Sequence, residues 1–147
     1  KEFITIVDQV DDWRNTIPLV GLPLKNAGVI NDHYLGAVED IITTYGPFYH
    51  IAPGIILLHA KPSDGVFKLS MGLLLLKEGV NFGNKVFDPV DIIFLLAASD
   101  NYSHIFALGQ LIALTKNSDF LNDVRTSLNS KEIQSIIWRY TSTELNY

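Results

Sequence analysis

The sequence predicts a single α/β domain in which a central mixed β-sheet is flanked by helices on both faces. Segments with helical periodicity alternate along the chain with short apolar segments typical of strands, which is the pattern of a layered α/β fold. Residues 90–98 form an almost continuous apolar run, as expected of a central strand covered on both faces. For 147 residues, one domain spanning 1–147 is the default.

Two helices are expected in the first third of the chain. Asp12 can cap the first, which Pro18 and Pro23 should kink or shorten. Asn31 should cap the second, which should end at Gly46 because a glycine followed by a proline stops a helix. The inward side of this second helix is expected to comprise five residues: Tyr34, Val38, Ile41, Ile42 and Tyr45.

Three strands are expected next, ahead of residues 90–98. Residues 49–52 and 55–59 are apolar segments on either side of a Pro-Gly break at 53–54. Residues 66–76 alternate between apolar and polar or small side chains, which predicts a strand with one face fully buried.

Helical periodicity returns in the last third of the chain. It predicts helices over about 103–115, 118–127 and 130–140, with Ser118 and Ser130 as N-caps of the last two. The apolar residues of the first of these helices include Ile105, Leu108, Leu111 and Ile112.

Composition and charge exclude several classes of function. A formal net charge of −5 argues against nucleic-acid binding and permits docking to a basic protein. The absence of cysteine excludes disulfides, thiolate metal ligands and a cysteine nucleophile, and it suits a cytoplasmic protein. No apolar stretch approaches the roughly 20 residues of a membrane span. Without metal-ligand spacing or a glycine-rich nucleotide loop, no cofactor is expected.

Two histidines follow predicted strands. His59 ends the strand at 55–59, and His104 follows the strand at 90–98, at or near the start of a helix. If these strands are parallel neighbours, both histidines lie at the sheet edge where α/β proteins place their ligands. The start of the helix supplies backbone N–H groups and a positive dipole end that favour phosphate, and Ser103 can add a donor.

This pair of histidines fits a phosphoryl relay site. A neutral imidazole is a competent nucleophile near pH 7, because its unperturbed pKa is about 6.5. Phosphoryl transfer needs mainly positioning and charge stabilisation, and a second imidazole can donate a hydrogen bond to the phosphoryl oxygens. Apolar residues around the site are expected to protect the phosphoryl group and to dock partners: Ile55, Leu57, Leu58, Ile105 and Phe106.

Two segments around these histidines carry a family resemblance. The first contains GPFY, IAPGI and HAKPSDGV within residues 46–66, and the second contains VNFG, DPVD, LAASD and SH within residues 80–108. Together with Asp12-Trp13 and Pro23-Leu24 they resemble the enzyme IIA components of the sugar phosphotransferase system. The resemblance is to the mannitol/fructose type, most closely to its ascorbate-like branch, and it covers roughly residues 10 to 138.

The resemblance implies a role for each site residue. His59 would accept a phosphoryl group from the phosphocarrier HPr and pass it to a cysteine of the cognate IIB component, while His104 would stabilise the phosphoryl group. Lys61, Ser103 and Leu58 would contact phosphate or partners. The family usually has proline where this chain has Leu58, and arginine where it has Lys61, which keeps the charge but loses bidentate phosphate geometry. Contact with the membrane would come only through the transporter complex.

Two alternatives remain open at the level of sequence. Family members also occur as regulatory modules whose phosphorylation state is read by a partner, and the Leu58 and Lys61 departures permit a protein that has lost phosphotransfer, although both histidines are present. The other histidines have structural interpretations: His33 as a solvated residue in the first turn of a helix, and His50 as a residue that precedes a strand. The transported sugar, the oligomeric state and the phosphorylated nitrogen are not predicted.

Overall fold

The structure, a computed structural model, describes residues 3–47, 49–100, 102 and 104–145. Within these residues, five strands form one mixed sheet in the order β1-β4-β5-β3-β2. The strands are β1 (Ile4–Val7), β2 (His50–Ala52), β3 (Ile55–Leu58), β4 (Ser70–Val80) and β5 (Val90–Ala97). A mixed sheet with helices packed on both of its faces confirms the predicted fold class.

The order of the strands places the ends of β3 and β5 side by side. These strands pair in parallel, with Leu58 opposite Leu95 at the end of the register. β4 runs antiparallel to β5, β1 runs parallel to β4, and β2 runs antiparallel to β3. The parallel pairing of β3 with β5 brings the segments that follow them to one edge of the sheet, which meets the condition on which the expected shared edge depended.

Helices cover both faces of the sheet. They are α1 (Thr16–Asn26), α2 (Asp32–Tyr45), α3 (His104–Thr115), α4 (Ser118–Arg125) and α5 (Ser130–Leu145). Successive strand residues point to opposite faces, so Leu58 and Leu95 pack with α1 and α2, whereas Leu57 and Phe94 pack with α3, α4 and α5. None of these helices, within the part of the chain that the structure describes, is both long and apolar enough to cross a membrane.

The strand expected at 66–76 is displaced. β4 begins at Ser70, and the side chains of Phe67 and Leu69 are 68% and 39% exposed, so their expected burial is wrong. Residues 66 and 67 pair with the loop between α1 and α2 instead, because the backbone N–H of Phe67 donates to the carbonyl of Val29 at 2.9 Å. The edge strand β1 was not expected from the sequence.

The ends of α1, α4 and α5 differ from expectation. α1 continues through Pro23 to Asn26 rather than stopping at the proline. Asn117 caps α4 and accepts from the N–H groups of Asp119 and Phe120, and Asn129 caps α5, so the serines expected as caps lie one residue too far along the chain. α5 also runs to Leu145, beyond the expected end at 140.

One residue expected to face inward lies at the surface. The side chain of Tyr45, in the last turn of α2, is 66% exposed. The remainder of α2 follows the prediction. The Asn31 side chain accepts from the N–H of Tyr34 at 3.0 Å, and Gly46, with φ +93°, ends the helix.

Candidate functional site

His59 lines a cavity beside the ends of β3 and β5. The cavity has a volume of about 410 Å³. Apolar and aromatic groups supply much of its wall. An imidazole, an ammonium group and a carboxylate supply the rest. Its lining comprises Ile41, Tyr45, Tyr49, His59, Ala60, Lys61, Pro62, Leu96, Ala98 and Asp100. The cavity therefore combines a half-buried imidazole with a mostly apolar wall at the predicted edge of the sheet.

The His59 ring is held from two directions. Its Nδ1 atom lies 3.2 Å from the carbonyl oxygen of Leu57, and its ring centroid lies 4.0 Å from that of Tyr49, with 43° between the ring planes. A carbonyl oxygen can only accept a hydrogen bond, so Nδ1 carries the proton and donates. A neutral ring with its proton on Nδ1 carries its lone pair on Nε2.

Tyr34 of α2 connects the ends of the two parallel strands from behind the cavity wall. Its fully buried hydroxyl donates to the carbonyl oxygen of Leu96 at 2.6 Å and accepts from the N–H of Ala60 at 3.0 Å. Burial raises the pKa of Tyr34 to about 12, so the hydroxyl keeps its proton near neutral pH. The sequence predicts that Tyr34 lies on the buried side of α2 but does not indicate this role. The available signal was a tyrosine at a core position, because a buried hydroxyl needs hydrogen-bond partners.

The segment after His59 is fixed to the start of α2. It forms a 3₁₀ turn over Pro62–Asp64, in which the Asp64 carboxylate accepts from the N–H of Lys61 at 3.1 Å. The His33 Nδ1 atom donates to the Asp64 carbonyl oxygen at 2.7 Å. Asp64 therefore shapes this turn, whereas His33 is exposed but anchored rather than simply solvated.

The other predicted site residues have different outcomes. Lys61 is exposed and lines the cavity. His104 is the first residue of α3, so the backbone of the helix begins where the sequence predicted. Its side chain, and all of Ser103, lie outside the described residues.

Three residues expected to form an apolar docking surface are buried, so their expected role in docking is wrong. Leu58 has no exposed surface, and Ile55 and Leu57 are 0% and 3% exposed. Their side chains belong to the core on either side of β3 and cannot reach a partner protein. The exposed Ile105 is compatible with such a surface, and the side chain of Phe106 lies outside the described residues.

His50 has a structural environment, as the sequence suggested. Its side chain is 1% exposed, and its ring stacks on that of Phe87 with 5.2 Å between centroids. Its Nδ1 atom donates to the carbonyl oxygen of Pro47 at 3.1 Å, and its Nε2 atom lies 3.7 Å from a carboxylate oxygen of Asp88. Asp88 also accepts from the N–H groups of residues 82–84 and so organises the loop that covers His50.

Curated relatives with similar sequences are named as enzyme IIA components. The mannitol-specific cryptic phosphotransferase enzyme IIA component of Escherichia coli (strain K12) is 33% identical over 137 residues, which cover 92% of each chain. The ascorbate-specific EIIA component of Shigella boydii is 27% identical over 137 residues, covering 92% of this chain and 89% of that protein. The chain is thus similar to both mannitol-specific and ascorbate-specific components.

Solved structures share the fold over nearly the whole chain. The solution structure of the mannitol-specific cryptic enzyme IIA from Escherichia coli has a TM-score of 0.86 at 32% identity, covering 95% of this chain and 94% of that chain. The complex of mannitol enzyme IIA with phosphorylated enzyme IIB from the same species shares the fold with a TM-score of 0.78 at 20% identity. The match covers 92% of this chain and 93% of the matched chain. The family model described as "Phosphoenolpyruvate-dependent sugar phosphotransferase system, EIIA 2" matches residues 1–140. The chain therefore belongs to this enzyme IIA family, and the resemblance read from its sequence is confirmed.

Proposed function

We propose that this enzyme IIA protein relays a phosphoryl group through His59, accepting it from HPr and passing it to a cysteine of a cognate IIB component. The observation that carries the proposal is the setting of His59, whose ring stands at an apolar-walled cavity with Nδ1 bonded to the Leu57 carbonyl. The relay would operate in the cytoplasm and meet the membrane through the transporter complex.

The chemistry is a pair of displacements at phosphorus. In the first, the lone pair of His59 Nε2 attacks the phosphorus of the phosphorylated donor. The N–P bond to His59 forms, the bond to the donor breaks, and its electron pair returns to the donor. In the second, a thiolate of the acceptor attacks the same phosphorus, a P–S bond forms, and the electron pair of the broken N–P bond returns to Nε2. No oxidant or cofactor is needed.

The Leu57 carbonyl supports the phosphorylated state of His59. When Nε2 forms a bond to phosphorus, positive charge develops on the ring, and the proton on Nδ1 remains bonded to the Leu57 oxygen. A hydrogen bond from a charged donor is stronger than one from a neutral donor. This carbonyl therefore stabilises the phosphorylated ring more than the free ring.

Lys61 and the start of α3 supply positive potential at the site. Lys61 lines the cavity with an ammonium group that can meet phosphoryl oxygens or an acidic partner surface as a point charge. α3 begins at His104, and the positive end of the helix dipole at its start favours an anion. In the proposal, the His104 imidazole donates a hydrogen bond to the phosphoryl group, the role that the family resemblance implies.

The proposal is tested by labelling the purified chain with phosphoenolpyruvate, enzyme I and HPr. The wild-type protein should take up one phosphoryl group per chain, and His59→Gln should take up none. His33→Gln is the matched control, because it removes an exposed imidazole whose described hydrogen bond is to a backbone carbonyl. It should reach the wild-type stoichiometry. Label retained at the wild-type level in His59→Gln would overturn the assignment.

A chase separates the relay from the regulatory alternative. Labelled protein mixed with a IIB component should lose its label to a IIB cysteine. If the label stays on the chain with every IIB component offered, while the phosphorylated form alone binds a regulatory protein, the regulatory module is the correct function.

A further inference from the structure

We propose that Tyr34 is a positioning residue for phosphoryl transfer, and that its hydroxyl holds His59 in place by tying the end of β3 to the end of β5. This inference rests on the proposed function, because it assigns a role in the reaction at His59. Tyr34 acts through its neighbours and does not touch the reacting atoms: it is fully buried and is not part of the cavity lining, whereas Ala60 and Leu96, its two hydrogen-bond partners, both line the cavity.

The geometry defines a directed chain of hydrogen bonds. The N–H of Ala60 donates to the Tyr34 oxygen at 3.0 Å, and the hydroxyl donates its single proton to the carbonyl oxygen of Leu96 at 2.6 Å. The carbonyl oxygen of Ala60 is farther from the hydroxyl, at 3.5 Å. Since the N–H of Ala60 belongs to the peptide group that begins at His59, the hydroxyl restrains the backbone immediately after the nucleophile.

The restraint lies beyond the end of the backbone ladder. The register between β3 and β5 ends with Leu58 opposite Leu95. His59 and Ala60 follow this last pair, so the Tyr34 hydroxyl continues the connection between the two strands by a side chain. Displacing a reacting group by about 1 Å can cost up to about 100-fold in rate, so loss of this restraint should slow the transfer.

The experiment compares two tyrosine-to-phenylalanine variants. Tyr34→Phe removes the bridging hydroxyl. Tyr140→Phe is the matched control, because its hydroxyl also makes a hydrogen bond, to the Asp123 carboxylate at 3.1 Å between α5 and α4. For each folded protein, the rate of phosphoryl transfer from HPr is measured at saturating and limiting donor. NMR of ¹⁵N-labelled histidine reports the tautomer and environment of the His59 ring.

Tyr34→Phe should lower the saturating rate by about tenfold with little change in KM, because positioning rather than donor binding is lost. The His59 ring resonances should shift in the same variant, and Tyr140→Phe should leave the rate and the resonances at their wild-type values. A folded Tyr34→Phe protein with the wild-type rate and unshifted His59 resonances would overturn the inference. So would an equal loss of rate in both variants, because a general loss of stability would then account for it.

The outcomes also separate this inference from the proposed function. If wild-type protein is not phosphorylated on His59, the proposed function itself fails. If wild-type protein is phosphorylated and Tyr34→Phe behaves identically, the inference alone fails. If Tyr34→Phe does not fold, the hydrogen-exchange rate of the Ala60 amide in the wild-type protein tests the bridge instead. A protected Ala60 amide supports the bridge, and an amide that exchanges at the rate of an unstructured chain overturns it.

Discussion

Alkaline pH should destabilise this protein through Tyr34. Burial raises the pKa of the Tyr34 hydroxyl to about 12, and the hydrogen bond from Ala60, which favours the ionised form, offsets only part of this effect. In the unfolded chain the same phenol ionises near pH 10. Because the folded pKa is the higher one, the stabilisation is fully present below about pH 10 and is lost as the pH rises through about 12.

The size of the effect follows from the two pKa values. A difference of roughly two units, at about 1.4 kcal/mol each, corresponds to about 2–3 kcal/mol of unfolding free energy. Alkaline pH acts on the whole protein, so the loss must be measured against a variant that lacks this one hydroxyl. Tyr34→Phe serves because it keeps the ring and removes the titrating group.

The assay is urea unfolding of the wild-type and Tyr34→Phe proteins at several values between about pH 8 and pH 12. The wild-type protein should be the more stable at the lower end, and its advantage should shrink by about 2–3 kcal/mol over this range. An advantage that stays constant across the whole range would show that Tyr34 ionises as readily in the folded protein as in the unfolded chain. That result would refute the buried hydrogen-bonded hydroxyl.

Three substitutions test other parts of the fold. Asp88→Asn should lower the unfolding free energy by about 2 kcal/mol. Both oxygens of the Asp88 carboxylate accept from the N–H groups of residues 82–84, and the amide of asparagine keeps only one acceptor oxygen. A change below about 0.5 kcal/mol in urea unfolding would contradict this. Gly65→Ala should lower the melting temperature, because φ is +134° and the added Cβ would lie 1.9 Å from the Asn31 side-chain oxygen; an unchanged value would count against this geometry of the turn. Phe120→Ala should cost about 3–5 kcal/mol through the cavity it leaves, since Phe120 is 2% exposed, and calorimetry that finds less than about 1 kcal/mol would refute its place in the core.

The sequence was sufficient to place the candidate site after two strands because local patterns determine where the strands end. The apolar runs that became β3 and β5 are each followed by polar residues, and parallel pairing of two buried strands brings those ends together. His59 could therefore be placed at the edge of the sheet from its neighbours in the chain alone. The helix beginning at His104 was predicted in the same way.

Features that depend on distant parts of the chain could not be predicted. The partners of the Tyr34 hydroxyl lie 26 and 62 residues away, so nothing near Tyr34 in the sequence indicates them. Alternating apolar residues suggested that Phe67 and Leu69 belong to a strand, but the pattern does not reveal that the loop before α2 pairs with this segment instead. The edge strand Ile4–Val7 has four residues, which is too short for a reliable period.

The most direct test identifies the phosphorylated atom by ³¹P and ¹⁵N NMR of the labelled protein. The hydrogen bond from Nδ1 to the Leu57 carbonyl predicts that phosphorus is coupled to Nε2 of His59, with the proton retained on Nδ1. Coupling to Nδ1 of His59, or to a nitrogen of any other histidine, would contradict the account.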